Sequence, residues 1–99
     1  MKTLENKTTT MQKDGEIKHA YSDLLTLCVN NAPVGGFTPE TMAARLRVIE
    51  ATKKAVDEKA AIQLEDADAK TAKDCVNAMK WGMMHADIVA FTSDCNASL

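Results

Sequence analysis

The sequence predicts a mainly α, compact domain of three to four helices, preceded by either an N-terminal β-hairpin or a polar arm. Three observations carry that prediction. Apolar residues recur at helical spacing from Tyr21 to Cys95. Helix punctuation interrupts the pattern at definite points, with Thr38-Pro39-Glu40 and Glu65-Asp66-Ala67-Asp68 as openings and Gly82 as a stop. Residues 1–20 lack the helical period and are β-branched or polar around Asp14-Gly15. The chain therefore divides into an arm or hairpin over 1–20 and a helical domain over 21–99.

In the first segment, Lys7-Thr8-Thr9-Thr10-Met11 favours extended backbone, and Glu16-Ile17-Lys18-His19 returns after a turn at Gln12-Lys13-Asp14-Gly15. Asp-Gly between such segments is a hairpin signal because Gly accepts the positive φ of a tight turn. Few apolar residues are available to bury, and two strands alone are marginal. The expectation is a frayed arm or a hairpin that orders against a partner.

From Tyr21 the period becomes helical. Leu24, Leu25, Leu27, Cys28 and Val29 form a face that Ser22 or Asp23 would cap, and the loop Asn30 to Gly36 ends it. The next helix opens with Thr38 as N-cap, Pro39 at the first helical position and Glu40 near the positive end of the dipole. Phe37 before the cap is placed to staple onto Met42. Met42, Leu46, Ile49 and Val56 with Ala43 make its predicted inner stripe, opposite Arg45, Arg47, Glu50, Lys53, Lys54, Asp57 and Glu58.

Ala60 to Leu64 reads as a short link with two apolar anchors, Ile62 and Leu64. The third helix then starts at an Asp66 N-cap and lines its inner face with Ala69, Ala72, Val76 and Met79, with Cys75 alongside. Gly82 would stop it. Met84, Ile88, Phe91 and Cys95, widened by Val89, continue as a fourth helix whose end, 94–99, should fray.

Composition limits what such a domain does. One domain of 99 residues has a thin core, and only four aromatic residues and six Met supply its bulk beside Ala, Leu, Ile and Val. A net charge of -2 and a pI near 5.6 give no bulk positive field, which argues against nucleic acid as a partner. No apolar run is long enough to span a bilayer, so no membrane partner is expected. The start Met1-Lys2-Thr3-Leu4 has no apolar signal core, which places the protein in the cytoplasm. Cys28, Cys75 and Cys95 are odd in number and without C-x-x-C spacing, so buried, reduced thiols are expected.

The groups that could carry chemistry have structural explanations. Asp66 and Asp68 resemble helix-opening carboxylates, and no EF-hand glycine or terminal Glu accompanies them, so no metal is predicted. His85 with Asp87, and with Cys75 or Cys95, would make a nucleophilic pair only within hydrogen-bond reach, and helical spacing places His85 on the surface. Gly35-Gly36 before a helix could cradle a phosphate, but the P-loop frame is absent and a plain connection is the stronger reading. Arg45, Arg47, Lys53 and Lys54 are interleaved with acids, with Glu50–Lys54 an i,i+4 pair. No catalytic residue and no cofactor is predicted. Trp81, Met83 and Met84, with Ile17 and Tyr21 from the arm, are the interface candidates, since Trp and Met are enriched at interface cores. For Trp81 a core plug between the last two helices is the competing role.

Arg45-Leu46-Arg47-Val48-Ile49-Glu50-Ala51, Ile62-Gln63-Leu64-Glu65-Asp66-Ala67-Asp68, Val76 to Trp81 and Asp87-Ile88-Val89-Ala90-Phe91 together resemble small uncharacterised accessory proteins of tailed bacteriophages. In these an R-x-R-V-hydrophobic helix leads to an L-E-D-A-D helix start, an aromatic residue near that helix's end and a terminal I-V-x-F segment. The D-G-E-I run followed by an amphipathic helix is similar to their N-terminal arrangement. The resemblance implies a phage-encoded, non-enzymatic protein acting in the host cytoplasm or virion. It would bind a phage structural or a host protein, and the thin core by itself favours a homo-oligomer. Accessory work in head or tail assembly is the leading expectation. Inhibition of a host defence or transcription protein is the second, and sequestration of a small ligand such as a nucleotide the third.

Overall fold

The computed structural model describes residues 1–99, apart from the side chain of Asp14. In chain order the elements are β1 (Lys2–Leu4), β2 (Thr8–Asp14), β3 (Ile17–Ala20), α1 (Tyr21–Asn30), α2 (Pro39–Glu58), β4 (Ile62–Leu64), α3 (Asp66–Ala78) and α4 (Ala86–Ser98). The four helices and the N-terminal hairpin agree with the fold class that the periodicity predicts. β2 and β3 form an antiparallel pair with two register irregularities. Gly15 takes φ +59 at the first position of their two-residue loop, a conformation that favours glycine.

The first segment is more firmly integrated than a frayed arm. β1 pairs antiparallel with β4 in the register Lys2↔Leu64, Thr3↔Gln63, Leu4↔Ile62. Leu4, Ile62 and Leu64 are all buried by this pairing, so the supposed link 60–64 is half of a sheet. Met11 reaches the core as well. The same segment caps α1: Tyr21 N–H donates to the Lys7 carbonyl at 2.8 Å and Ser22 N–H to Asn6 Oδ1 at 2.8 Å. These satisfy amides that a helix start leaves free. The N-cap position belongs to Ala20 rather than Ser22 or Asp23, and Asp23 reaches back to accept from Ala20 N–H at 2.8 Å.

Helix α2 begins as predicted, with Thr38 Oγ1 accepting from Thr41 N–H at 3.1 Å and Pro39 at the first position. Its inner face is different. Val48, Thr52 and Ala55 are buried, whereas Met42, Leu46 and Val56 are about half exposed. The small side chains of the buried stripe permit close helix approach, and Thr52 satisfies its hydroxyl by donating to the Val48 carbonyl at 2.8 Å. Phe37 lies under the Arg45 guanidinium, 5.1 Å from ring centroid to Cζ, a cation–π contact.

Helix α3 buries Ala69, Ala72, Cys75 and Val76 as expected, but Glu65 is its N-cap position and it ends at Ala78, short of Gly82. Residues 79–85 form an irregular connection. In α4, Ile88, Phe91 and Cys95 are buried while Val89 is 70% exposed. Its end does not fray: Leu99 N–H donates to the Cys95 carbonyl and the Leu99 side chain is buried. Phe91 sits at the centre, edge-on to Tyr21 with ring centroids 5.1 Å apart.

Candidate interaction site

Most of the polar groups singled out in the sequence are placed in structural contacts, although the expected Glu50–Lys54 pair does not form and Lys54 stands 3.9 Å from Glu58 instead. Asp66 lies 3.3 Å from the Met1 amine, and Asp68 accepts from Arg47 Nε at 3.1 Å. Both stand in the first turn of α3, where carboxylates complement the helix dipole. His85 is not a free surface imidazole: it is the N-cap of α4, and its Nδ1 accepts from Asp87 N–H at 3.0 Å. Asp87 in turn holds the hairpin, with Thr10 Oγ1 and Thr10 N–H donating to Oδ2 at 2.7 and 2.8 Å. The hydroxyl contact, then the amide, and more weakly the nearby His85, keep this carboxyl below its usual range against partial desolvation.

Two turns further along α4, Asp94 accepts from the Tyr21 hydroxyl at 2.6 Å and from Lys7 Nζ at 3.3 Å. The Tyr21 hydrogen bond, helped by Lys7, lowers Asp94, while burial followed by the Asp94 carboxylate raises Tyr21. Tyr21 is 4% exposed, so it is a core residue that fastens the hairpin and α1 to α4, not an interface side chain. Burial pushes the Cys28 and Cys95 thiols up to about 12 and Cys75 upward as well. All three are free and remain protonated at neutral pH, unlike a nucleophilic thiolate.

The Gly35-Gly36 loop is closed on itself. Gly36 N–H donates to the Pro33 carbonyl at 2.9 Å across a turn in which Gly35 has φ +88. That φ is one that the third position of a type II turn requires. The amide that a phosphate cradle would present is thereby engaged within the loop.

The open apolar surface lies around the connection 79–85 and the outer side of α4. Met84 is 99% exposed, Met83 and Val89 are mostly exposed, and Trp81 is half-buried against the core. Trp81 thus packs on the core while part of its side chain stays accessible. Two shallow grooves of about 460 and 480 Å³ meet at Trp81, Ile88 and Val89. The first runs over Met83 and Met84; the second runs between α3 and α4. There the side-chain amides of Asn77 and Asn96 bridge the helices with reciprocal bonds of 2.9 and 3.0 Å. Neither groove is lined by a carboxylate, lysine or arginine among the described residues.

Of the sequence candidates, Trp81, Met83 and Met84 come together on this surface. Ile17 is 61% exposed on the hairpin edge and does not line either groove. Val89 is the member that sequence reasoning missed, because its spacing assigns it to the inner stripe. Its signal was the i,i+4 and i,i+3 relation to Ser93 and Thr92, which share the second groove. Comparison with protein families, curated proteins and solved structures yields no match to this chain.

Proposed function

We propose that this chain is a non-enzymatic, phage-encoded protein-protein interaction module, an accessory protein of head or tail assembly, that seats an apolar segment of its partner on the Trp81 surface. The observation that carries the proposal is the continuous uncharged surface at Trp81, Met83, Met84 and Val89, on the connection between α3 and α4 and the outer side of α4. A large aromatic side chain anchored in the core with one face open, ringed by flexible methionines, has the composition of an interface centre. The engagement of His85, Asp66, Asp68 and the buried thiols in structural contacts favours binding over covalent chemistry as the role. The phage assignment rests on the resemblance of the segments around Arg47, Asp66, Trp81 and Phe91.

The test is affinity purification of tagged protein from phage-infected cells, with mass spectrometry of what co-purifies. Enrichment of phage head or tail proteins, lost in Val89→Asp, is the expected result. Capture of a single host protein instead, equally lost in Val89→Asp, would make the protein a host-directed inhibitor and sink the assembly role. Capture unaffected by Val89→Asp and Met84→Asp would remove this surface as the site.

A further inference from the structure

The outer side of α2 carries a second apolar surface, far simpler in form. Met42, Leu46, Ile49, Lys53 and Val56 follow one another at spacings of four, three, four and three residues, the repeat of a coiled-coil seam. Met42, Leu46 and Val56 are 46%, 52% and 49% exposed, and Lys53 is exposed, while Ile49 packs partly on the core and braces the seam. About four turns of α2 thus carry an outward apolar stripe.

The charges beside the seam identify that neighbour. Arg47 is paired with Asp68, Lys54 stands 3.9 Å from Glu58, and Arg45 donates to the carbonyls of Val29 and Asn31 at 3.0 and 2.7 Å. Glu50 and Lys53 have no ion-pair partner among the described residues. They lie one turn apart, and Lys53 occupies a seam position. A parallel pairing in register would set Lys53 against Lys53. An antiparallel pairing about a two-fold axis midway between Ile49 and Lys53 sets Leu46 of one copy against Val56 of the other, and Ile49 against the Lys53 stem. Each Lys53 ammonium then reaches Glu50 of the other copy, twice by symmetry.

We infer that the protein forms an antiparallel homodimer through the α2 seam Met42–Leu46–Ile49–Lys53–Val56, with reciprocal Glu50–Lys53 pairs fixing register. The pairing is self-complementary, as an isologous contact requires, and it uses none of the Trp81 surface. It therefore stands or falls apart from the proposed function. A seam of this length is at the small end of specific interfaces, so a dissociation constant on the order of micromolar is expected.

Sedimentation equilibrium of the full chain up to about 100 µM tests it. The expected result is a monomer–dimer equilibrium that Leu46→Glu, Lys53→Glu and Glu50→Lys each weaken by about tenfold or more, with far-UV circular dichroism unchanged. Mixing the Glu50→Lys and Lys53→Glu proteins should restore dimer, because opposite charges then face each other across the axis. A monomer at the highest concentration overturns the inference. So does a dimer that survives Leu46→Glu but is lost in Val89→Asp, and so does failure of the two charge variants to pair when mixed.

Discussion

Helices α1 and α2 lie against each other on the same core, yet they are held in opposite ways. α1 has ten residues and buries six of them, Tyr21, Ser22, Leu24, Leu25, Cys28 and Val29. α2 has twenty and buries only Val48, Thr52 and Ala55. The difference is not one of apolar content, since α2 also carries Met42, Leu46, Ile49 and Val56. α1 is enclosed because β3, α2 and α3 pack around it and residues 6–7 close its start. α2 rests on a stripe of small residues and is pinned at its flanks by Arg45 on the end of α1 and Arg47 on Asp68. Burial is decided by which elements surround a helix, and a stripe of larger side chains can be left outside when smaller ones allow closer approach.

Two leucines give the strongest way to break this comparison. Leu24 of α1 is fully buried, so Leu24→Ala should cost about 3–5 kcal/mol through lost transfer free energy and the cavity left behind. Leu46 of α2 is 52% exposed, so Leu46→Ala should stay within about 0.5 kcal/mol of the parent. Urea unfolding at low protein concentration, where any dimer is dissociated, measures both. Equal losses would mean that the outer stripe of α2 is part of the folding core after all.

The enclosure of α1 depends also on the polar clasp to α4, whose contribution is smaller. Tyr21→Phe keeps the edge-on contact with Phe91 and removes only the hydroxyl bond to Asp94, for an expected loss of about 1 kcal/mol. The clasp has a pH signature. Asp87 and Asp94 have carboxyls held below the usual carboxylate range by hydrogen bonds, and in Asp23 burial pushes the carboxyl up but the bonds from Lys13 and Ala20 together outweigh it. A carboxyl depressed in the folded state adds stability above its unfolded pKa, and that stability is lost as pH falls through the folded one. The urea midpoint should therefore be flat near neutrality and drop below about pH 4. In Asp94→Asn the drop should be shallower. A midpoint insensitive to acid would show that the clasp adds nothing to folding.

The helical half of this fold was legible because its signals are local. Thr38-Pro39 sets a helix start through groups in the same turn, and the inner residues Ala69, Ala72 and Val76 of α3 follow one period on a helix whose opposite side is charged. The β1–β4 pair was not legible, since Leu4 and Ile62 are separated by most of the chain and each strand has only three residues. The inner face of α2 was misjudged for a related reason: two stripes compete, and the choice between them is made by neighbours that the sequence does not place. At the candidate interaction surface, Trp81, Met83 and Met84 were visible from residue type alone. Val89 was not, because it adjoins Ile88 and its spacing reads as a widening of the inner stripe that Ile88, Phe91 and Cys95 set, whereas the core closes on those three alone.

The C-terminal ends of α2 and α1 supply the finest contrast, and the smallest effect. α2 closes in a Schellman arrangement, with Lys59 N–H donating to the Val56 carbonyl at 3.2 Å and Ala60 N–H to the Ala55 carbonyl at 2.9 Å. Lys59 sits at φ 51, ψ 45, the left-handed conformation that favours glycine, whereas α1 ends at Asn31 in extended backbone with no such strain. A side chain there costs about 1–2 kcal/mol, and glycine gives back roughly half of that through the greater freedom of the unfolded chain. Lys59→Gly should thus raise stability by about 0.5 kcal/mol and leave the far-UV spectrum unchanged. Asn31→Gly should do the reverse, since extended backbone gains nothing from glycine and the unfolded chain gains entropy. If both substitutions destabilise alike, the Lys59 turn is not strained, and the Lys59 side chain itself holds the end of α2.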